Sequence, residues 1–368
     1  MKVAFLTTSF PEKGHESRGP FIKHLYDHLI REKVHIELVL PKGYHSLKDQ
    51  GGIFPALKGN IINKILFCAY TFHFLTLIPL KARTTDIIHA NWSYTAFLAL
   101  ITKPLHRKKI LLTERGPEIV YTKNPIIKHV VRFVYTHVDT LVTISSSIAA
   151  DITSIYHIKN VLVIPNGVDR NSFPEGKEQL RKKFNIPLNQ FVFLSAGRLI
   201  KRKAIDQLLP IFKEISTGDL YIVGDGPERA SLERLAQSLD ITSRVHFVGE
   251  ILPADVFQWM HAADVFVFPS SMETGGNVLL EAVASGLPII TTNVGWAHDV
   301  VLPGKNGFIV HPYDSLAFTQ AMQTFLKNKT LQKKFSNASI HMIKNNFKWE
   351  QCAKNYIKAY TTLLSQPL

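Results

Sequence analysis

Short runs of apolar residues alternate with helix-spaced apolar positions through the first half of the chain. The runs predict strands at residues 3–7, 36–40, 87–90, 110–113, 141–144 and 161–164. Between the first two runs, residues 21–31 repeat apolar positions at the spacing of one helix face. Strands that alternate with helices indicate a parallel sheet built from right-handed crossover connections.

The same pattern starts again after a break in the middle of the chain. Pro165, Asn166 and Gly167 form a strong turn signal, and the residues that follow are polar and rich in lysine. Further strands are predicted at 191–196, 220–223, 245–248, 265–268 and 288–291. Further helices are predicted at 205–215, 229–239, 278–285 and 350–364.

These patterns predict an α/β protein with two Rossmann-like, doubly wound parallel-sheet domains. The expected boundaries are an N-terminal domain at 1–170, a linker at 171–189, a C-terminal domain at 190–346 and a final helical segment at 347–368. Open sheets of this kind bind ligands beyond the carboxyl ends of their strands. A central cleft faced by both domains is therefore the expected site.

Composition narrows the class of protein further. Apolar residues make up 46% of the chain and charged residues 20%, which is typical of a globular protein. The net charge is +14, and residues 1–170 carry 22 basic against 12 acidic groups, so an anionic partner is expected there. Two cysteines exclude a disulfide scaffold, and the first residues lack a signal-peptide pattern. A cytoplasmic location is therefore expected.

One segment, residues 61–80, is apolar enough to be weighed as a membrane span. A span needs about 20 mostly apolar residues. This stretch also contains Asn63, Lys64, His73 and Pro79, which shorten its uninterrupted part. A buried helix, or a helix that lies on a membrane surface, is the favoured interpretation.

Two clusters that follow predicted strands of the second half carry candidate chemistry. The first cluster comprises Glu273, Gly275, Gly276, Asn277 and Glu281. Its glycines would present backbone N–H groups to phosphate at a helix start, and its carboxylates suit sugar hydroxyls. The second cluster is the cationic run at 197–203, which suits a diphosphate, although a solvated basic loop explains it equally well.

Two glycine-containing loops are weaker signals. Gly224 and Gly226 follow a predicted strand and fit a tight turn with a proline at the next helix start. Gly19 would let the backbone approach a ligand closely, but the full dinucleotide-binding glycine pattern is missing. The sequence also lacks a P-loop, an Asp-x-Asp motif and His or Cys residues at ligand spacing, so no metal or cofactor is expected.

One long stretch makes the chain recognisable. SSMETGGNVLLEAVASGLPIITTNVG closely resembles the E-x7-E region of retaining glycosyltransferases of family 4, which have the GT-B fold. Further stretches resemble that family in the same order: DIIHAN, VTISSSIAADI, VLVIPNGVD, SAGRLIKRK, IVGDGPER, RVHFVGE and ADVFVFPSS. The resemblance implies a nucleotide-sugar donor in the C-terminal domain, an acceptor in the N-terminal domain and a final helix that crosses back onto the N-terminal domain.

The resemblance also implies roles for individual residues. Arg198 and Lys203 match the pair that neutralises the donor diphosphate, and Glu273 matches the carboxylate that holds the donor sugar. Cations would thus replace a metal and stabilise the leaving group. The other positions that match the donor site, or complete it, are Gly19, Gly249, Ile251, Gly275, Gly276, Asn277 and Glu281, with Glu281 on the ribose.

Three departures from the family pattern affect the expected site. Ala204 stands where the family has a glycine, and Thr274 belongs to a loop that lacks the family's aromatic residue. Arg115 stands where the family often has a histidine, and an arginine cannot act as a general base. Arg115 is expected to bind donor phosphate or an anionic acceptor, with His89 and Glu118 as acceptor-side candidates.

The expected function is metal-independent, retaining transfer of a hexose from a nucleotide-sugar to a glycan or lipid-linked glycan in bacterial lipopolysaccharide, capsule or exopolysaccharide synthesis. The basic first half and the apolar 61–80 segment suit peripheral contact with an anionic inner membrane. A nucleotide-sugar 2-epimerase of the same fold and a non-catalytic relative remain alternatives. A nucleic-acid partner is not expected, because no recognised binding module is present.

Overall fold

The computed structural model describes residues 1–12, 19–44, 60–116, 122–168, 176–273 and 275–366. The chain divides into two compact units. The first comprises Met1–Ile144, Ile148–Asn166 and Trp349–Leu368, and the second comprises Ser145–Ser147 and Gly167–Lys348. Within the described residues, each unit contains a parallel six-stranded sheet, as the alternating pattern predicts.

The sheet of the first unit has the strand order β2-β1-β3-β4-β5-β6. Its strands are β1 (Lys2–Leu6), β2 (His35–Val39), β3 (Ile87–Asn91), β4 (Lys109–Glu114), β5 (Thr140–Thr143) and β6 (Leu162–Val163). Val3 of β1 lies opposite Ile36 on one side and Ile87 on the other. These strands match the predicted ones to within one residue at each end, because most are apolar runs buried by the sheet.

Helices cover both faces of this first sheet. The helices are α1 (Pro20–Arg31), α2 (Ile61–Ala82), α3 (Ser93–Ile101), α4 (Lys103–His106), α5 (Pro125–His137), α6 (Ser146–Tyr156) and α15 (Trp349–Ser365). On one face, α2, α3 and α5 share a core through residues such as Phe74, Ala96 and Val134. On the other face, Leu25 of α1 and Tyr356 of α15 share a second core.

Helix α2 is long and apolar enough to cross a membrane by length and composition alone. Its most apolar 18-residue window has a mean hydropathy of 1.6 and is 17% buried. One side of the helix nevertheless carries Tyr70, Phe74, Ile78 and Ala82 into the core of the first unit. The helix therefore packs on the sheet along one side and exposes the other.

The sheet of the second unit has the order β12-β11-β10-β7-β8-β9. Its strands are β7 (Val192–Ala196), β8 (Asp219–Val223), β9 (Val245–Gly249), β10 (Val265–Phe268), β11 (Ile289–Thr292) and β12 (Gly307–Val310). Phe193 of β7 lies opposite Leu220 and Val265. The sequence analysis missed β12, which is a four-residue strand at the sheet edge and is only half-buried at its centre.

The helices of the second unit lie between these strands and after them. They are α7 (Lys177–Lys183), α8 (Ile205–Lys213), α9 (Arg229–Ser238), α10 (Pro253–Ala262), α11 (Asn277–Ala284), α12 (Ala297–Val300), α13 (Ser315–Lys327) and α14 (Lys329–Asn346). Residues 176–189, which the sequence analysis assigns to a linker, lie within this unit. Arg181 explains the difference, because its side chain binds the Asp264 carboxylate at 2.7 Å and the Ala262 carbonyl at 2.9 Å.

Candidate functional site

The strand order of the second unit reverses between β7 and β10, which are neighbours in the sheet. Doubly wound sheets bind ligands at such a switch point, beyond the carboxyl ends of the strands. Arg198 and Lys203 follow β7, and Glu273 follows β10. Folding therefore brings the loops that carry the three predicted residues to one edge of the sheet.

Glu273 is held there between two cations. Lys203 Nζ lies 2.6 Å from Glu273 Oε1, and Arg202 Nη1 lies 3.2 Å from Oε2. Burial opposes ionisation of Glu273, but the charges of Lys203 and Arg202 outweigh it and hold the pKa of the carboxyl below its usual value. Glu273 is therefore an ionised hydrogen-bond acceptor at neutral pH. Sequence reasoning missed Arg202 as its second partner.

Backbone contacts fix the cationic loop against the Glu273 loop. Lys201–Lys203 forms a short 3₁₀ helix, and Arg202 O accepts hydrogen bonds from Ser271 N at 2.8 Å and Ser271 Oγ at 3.1 Å. Lys203 Nζ also lies 4.8 Å from the centre of the Phe268 ring, a cation–π contact. Arg198 is exposed and lines a small cavity with Lys203 and Phe268.

Two residues after β11, which sequence reasoning did not select, support the Glu273 loop. A Cβ added at Gly295 would lie 2.4 Å from the Gly275 carbonyl oxygen and 2.9 Å from Glu273 Cβ. Trp296 is fully buried, and its N–H donates to the Gly275 carbonyl at 3.0 Å. A glycine four residues after the end of a predicted strand was the only sequence signal for this contact.

Helix α11 places the second predicted carboxylate. It begins at Asn277, with Gly276 at the N-cap in the left-handed region at φ +85°, and no side chain caps its first turn. Glu281 lies inside the helix and is partly buried. Desolvation of its carboxyl by the surrounding described residues raises the pKa to about 7. Two carboxylates near this sheet edge thus differ in charge state around neutral pH.

The glycine loop after β8 supports the cationic loop by close packing. Cβ atoms added at Gly224 and Gly226 would lie 2.1 and 2.4 Å from the carbonyl oxygens of Gly197 and Leu199. Leu199 N also donates to the Asp225 carbonyl at 2.9 Å. The loop is thus a tight turn, as the sequence favours, that positions the chain on either side of Arg198.

Gly249 and Ile251, which the resemblance assigns to the donor site, lie at the end of β9 and two residues after it. Gly249 has φ +91°, and its carbonyl accepts a hydrogen bond from Gly224 N at 2.8 Å. Ile251, two residues further on, is partly exposed. The described part of this loop is thus tied to the loop after β8.

The first unit has its own switch point, between β1 and β3. Gly19 precedes α1 at φ +62°, and an added Cβ would lie 2.9 Å from Ser9 Oγ. Trp92, directly after β3, has φ 70° and ψ 146°, a conformation that is strained for any residue except glycine. Sequence reasoning missed Trp92, although strained residues of this kind cluster at functional sites.

His89, an acceptor-side candidate from the sequence, lies in the interior of the first unit. It is fully buried, with Nδ1 2.6 Å from the Tyr360 hydroxyl and Nε2 2.8 Å from Thr113 Oγ1. Burial, and then the Arg115 charge, lower its pKa well below the usual value. The ring is therefore neutral, and both nitrogens are used inside the first unit.

Arg115 is buried and bound to neighbouring segments of the first unit. Its Nε donates to Asn91 Oδ1 at 3.0 Å, and its Nη1 donates to Asn166 Oδ1 at 2.8 Å. Its Nη2 lies 3.4 Å from the Tyr356 hydroxyl of α15. These contacts hold the guanidinium between the end of β3, the segment after β6 and helix α15, and its binding of donor phosphate or an anionic acceptor stays a prediction.

Glu114, which sequence reasoning did not select, shapes the turn that carries Arg115. It is fully buried, and one carboxylate oxygen accepts hydrogen bonds from the backbone N–H groups of Arg115 and Gly116, both at 2.9 Å. Burial raises the pKa of Glu114, while these bonds and others oppose the shift. The second acceptor-side candidate, Glu118, lies outside the described residues.

Replacing Arg115 by leucine is expected to lower the free energy of unfolding by about 2 kcal/mol, because Asn91 and Asn166 would lose their donor. Urea unfolding of the full chain measures this. Arg132→Leu, on the exposed side of α5, is the control and should change little. Equal stability of the wild type and Arg115→Leu would contradict the positioning role.

Metal-ligating groups do not cluster in the described part of the chain. Among those residues, no three His, Cys, Asp or Glu side chains lie close enough to hold a metal ion.

Comparison with known proteins assigns the family. Residues 176–342 match the model described as glycosyl transferases group 1, and residues 20–172 match the model described as glycosyltransferase family 4. The chain therefore belongs to the group 1, family 4 glycosyltransferases, and its two parallel sheets form the GT-B fold. It is a transferase by family.

The curated relatives of the chain have different named activities. An N-acetyl-alpha-D-glucosaminyl L-malate synthase of Bacillus anthracis is 26% identical over 76% of this chain and 75% of its own length. A lipopolysaccharide core biosynthesis glycosyltransferase of Rhizobium meliloti is 28% identical over 61% of this chain and 64% of its own length.

Solved structures agree with the fold over nearly the whole chain. A sucrose-phosphate synthase of Thermosynechococcus elongatus has a TM-score of 0.84 at 22% identity, covering 99% of both chains. HepE of Anabaena, solved in complex with UDP-glucose, has a TM-score of 0.79 at 19% identity, covering 98% of this chain and 100% of HepE. At these identities the likeness concerns the fold alone.

Proposed function

We propose that this chain is a retaining glycosyltransferase that moves a sugar from a nucleotide-diphosphate sugar to a hydroxyl of a glycan or lipid-linked glycan, without a metal ion or other cofactor. The contact of Lys203 and Arg202 with Glu273 at the switch point of the second sheet is the main support. Cations at that edge suit a diphosphate, and the ionised carboxylate beside them suits sugar hydroxyls.

In the proposed reaction, the bond between the anomeric carbon and the diphosphate oxygen breaks as the acceptor hydroxyl oxygen bonds to the same face of that carbon. The hydroxyl proton passes to the leaving diphosphate. Arg198 and Lys203 stabilise the charge that develops there. Glu273 orients the donor sugar, and Glu281 binds the ribose, so most of the catalysis is positioning and charge stabilisation.

Similar proteins support a narrower donor and pathway. The Anabaena neighbour binds UDP-glucose, and the Rhizobium meliloti relative serves lipopolysaccharide core synthesis. We therefore propose a UDP-hexose donor and a bacterial envelope glycan as acceptor, with the enzyme on the cytoplasmic side of the membrane. Trp92, strained at the edge of the first sheet, is proposed to stack against the acceptor sugar.

A panel of nucleotide sugars tests this function by thermal shift, with the wild type and Glu273→Ala side by side. A donor in excess of its dissociation constant should raise the melting temperature of the wild type and shift the variant less. The selected donor is then incubated with glycan acceptors and a chelator, and NMR reads the anomeric configuration of the product. Retained configuration with the chelator present is expected. A product with the inverted anomeric configuration would contradict retaining transfer. A donor sugar that is only epimerised at C2, with no transfer to an acceptor, would also contradict it.

A further inference from the structure

Four helices that cover one face of the first sheet leave large apolar side chains in solvent. On α2, Ile61, Ile65, Phe72 and Leu80 are each between 60% and 69% exposed. At 3.6 residues per turn these positions lie on the side of the helix opposite Tyr70, Phe74 and Ile78, which are buried against the sheet. The exposed stripe from Ile61 to Leu80 is about 28 Å long.

The neighbouring helices of the same layer continue this exposed surface. Helix α3 contacts α2, α4 and α5, and the residues that α2, α3 and α5 bury belong to one core. Leu105 of α4 is 67% exposed, and Ile126 of α5 is 74% exposed. The outer helical surface is defined here as the exposed side chains of α2, α3, α4 and α5. An apolar side on a surface helix normally packs against something.

The charged side chains on these four helices have a single sign. Helices α2, α3, α4 and α5, all of whose residues are described, contain no aspartate or glutamate. They carry five cationic side chains, Lys64, Lys81, Lys103, Lys128 and Arg132, of which Lys81 and Lys103 are paired with the carboxylates of Glu37 and Asp139 outside these helices. Lys64, Lys128 and Arg132 are exposed among the apolar residues. A surface that combines exposed apolar residues with cations and lacks carboxylates is complementary to anionic lipid headgroups.

We propose that the outer helical surface docks onto a bilayer that contains anionic phospholipids, with α2 lying in the plane of the interface. A spanning orientation is disfavoured, because it would pull Tyr70, Phe74 and Ile78 out of the core of the first unit. In the interface, the exposed stripe enters the headgroup region while Lys128 and Arg132 meet lipid phosphates. The docking proposal rests on the proposed function in one respect: docking would bring the enzyme to a lipid-linked acceptor.

Vesicle sedimentation of the full chain tests this docking. Vesicles of phosphatidylcholine alone are compared with vesicles that also contain phosphatidylglycerol. We expect tighter binding to the anionic vesicles, weakened by salt. The double variant Ile65→Gln/Phe72→Gln should bind the anionic vesicles about tenfold less tightly, because it replaces two exposed apolar side chains by polar ones. Lys128→Gln/Arg132→Gln should lose about tenfold at low salt.

A matched control distinguishes binding through this surface from non-specific binding of exposed apolar residues to vesicles. Leu252 and Leu316 of the second unit are 61% and 68% exposed, and Leu252→Gln/Leu316→Gln should bind vesicles like the wild type. Equal binding to both vesicle types, or no loss in Ile65→Gln/Phe72→Gln, would overturn the proposal. A dimer that this double variant dissociates would show that a second copy covers the surface instead.

The same variants distinguish failure of docking from failure of the proposed function. Ile65 and Phe72 are not among the proposed nucleotide-binding residues, so Ile65→Gln/Phe72→Gln should keep the wild-type thermal shift with UDP. Vesicle binding by a chain that binds no nucleotide would leave the docking surface standing and refute the donor proposal. Nucleotide binding without vesicle binding would refute the docking surface and leave the donor proposal standing.

Discussion

Replacing Lys203 by methionine is expected to lower kcat of sugar transfer by about 10²–10³-fold, because it removes a fixed positive charge from the place where the leaving diphosphate develops charge. The substitution also takes away the nearer cation of Glu273, whose Oε1 lies 2.6 Å from Lys203 Nζ. Glu273 would keep Arg202 at 3.2 Å as its cation in this contact. Its pKa should therefore rise in the variant.

Release of nucleoside diphosphate in the presence of an acceptor measures this loss. Lys201→Met is the matched control, since Lys201 belongs to the same 3₁₀ helix but has a side chain that is 77% exposed and bonded to Asp206. It should keep nearly the wild-type rate. A Lys203→Met enzyme within threefold of the wild type would refute the assignment of this cation to the diphosphate.

Replacing Glu281 by glutamine should weaken nucleotide binding at pH 8 by about 10–100-fold, the value of a charged hydrogen bond. The carboxyl has a pKa of about 7, so the wild type carries the charge at pH 8 and has largely lost it at pH 6. An ionised carboxylate accepts from both ribose hydroxyls, whereas the protonated acid is a poorer acceptor. Wild-type affinity should therefore fall between pH 8 and pH 6.

The same substitution should stabilise the chain without ligand at high pH. The usual pKa of glutamate is 4.5, and the folded value is about 7, so between these values the unfolded chain has released a proton that the folded chain retains. Stability is thus lost as pH rises through this window. The neutral side chain of Glu281→Gln does not lose stability in this way, so the variant should gain on the order of 1–3 kcal/mol at pH 8 and about a quarter of that at pH 5.

Isothermal titration with UDP and urea unfolding, each at pH 5, 6 and 8, check the two effects. Glu233→Gln is the control, because Glu233 lies on the surface of α9 and binds Arg229 at 2.8 Å. It should leave both pH profiles unchanged. A Glu281→Gln variant with the wild-type pH dependence of UDP affinity would remove Glu281 from the ribose site.

Some features of this protein follow from the sequence because their signals are local. The strands of both sheets were located closely, since most strands buried on both faces are continuous apolar runs between turns. β12 was not predicted, because a half-buried, four-residue edge strand lacks such a continuous apolar run. Glu273 and Glu281 were found through a motif contained in nine residues, and Lys203 through a basic run after a strand.

The tertiary structure determined which residues form hydrogen bonds or ion pairs with the candidate residues. Arg202 meets Glu273 across 71 residues, and His89 meets Tyr360 across 271, distances in sequence over which periodicity carries no information. The same holds for Gly224 and Gly295, whose need for the smallest side chain comes from carbonyl groups on other loops. The amino-acid sequence by itself determined the two-sheet fold and the chemical types at the sheet edge. Folding determined that Arg115 and His89 are used inside the first unit, because buried polar groups must find partners wherever the chain places them.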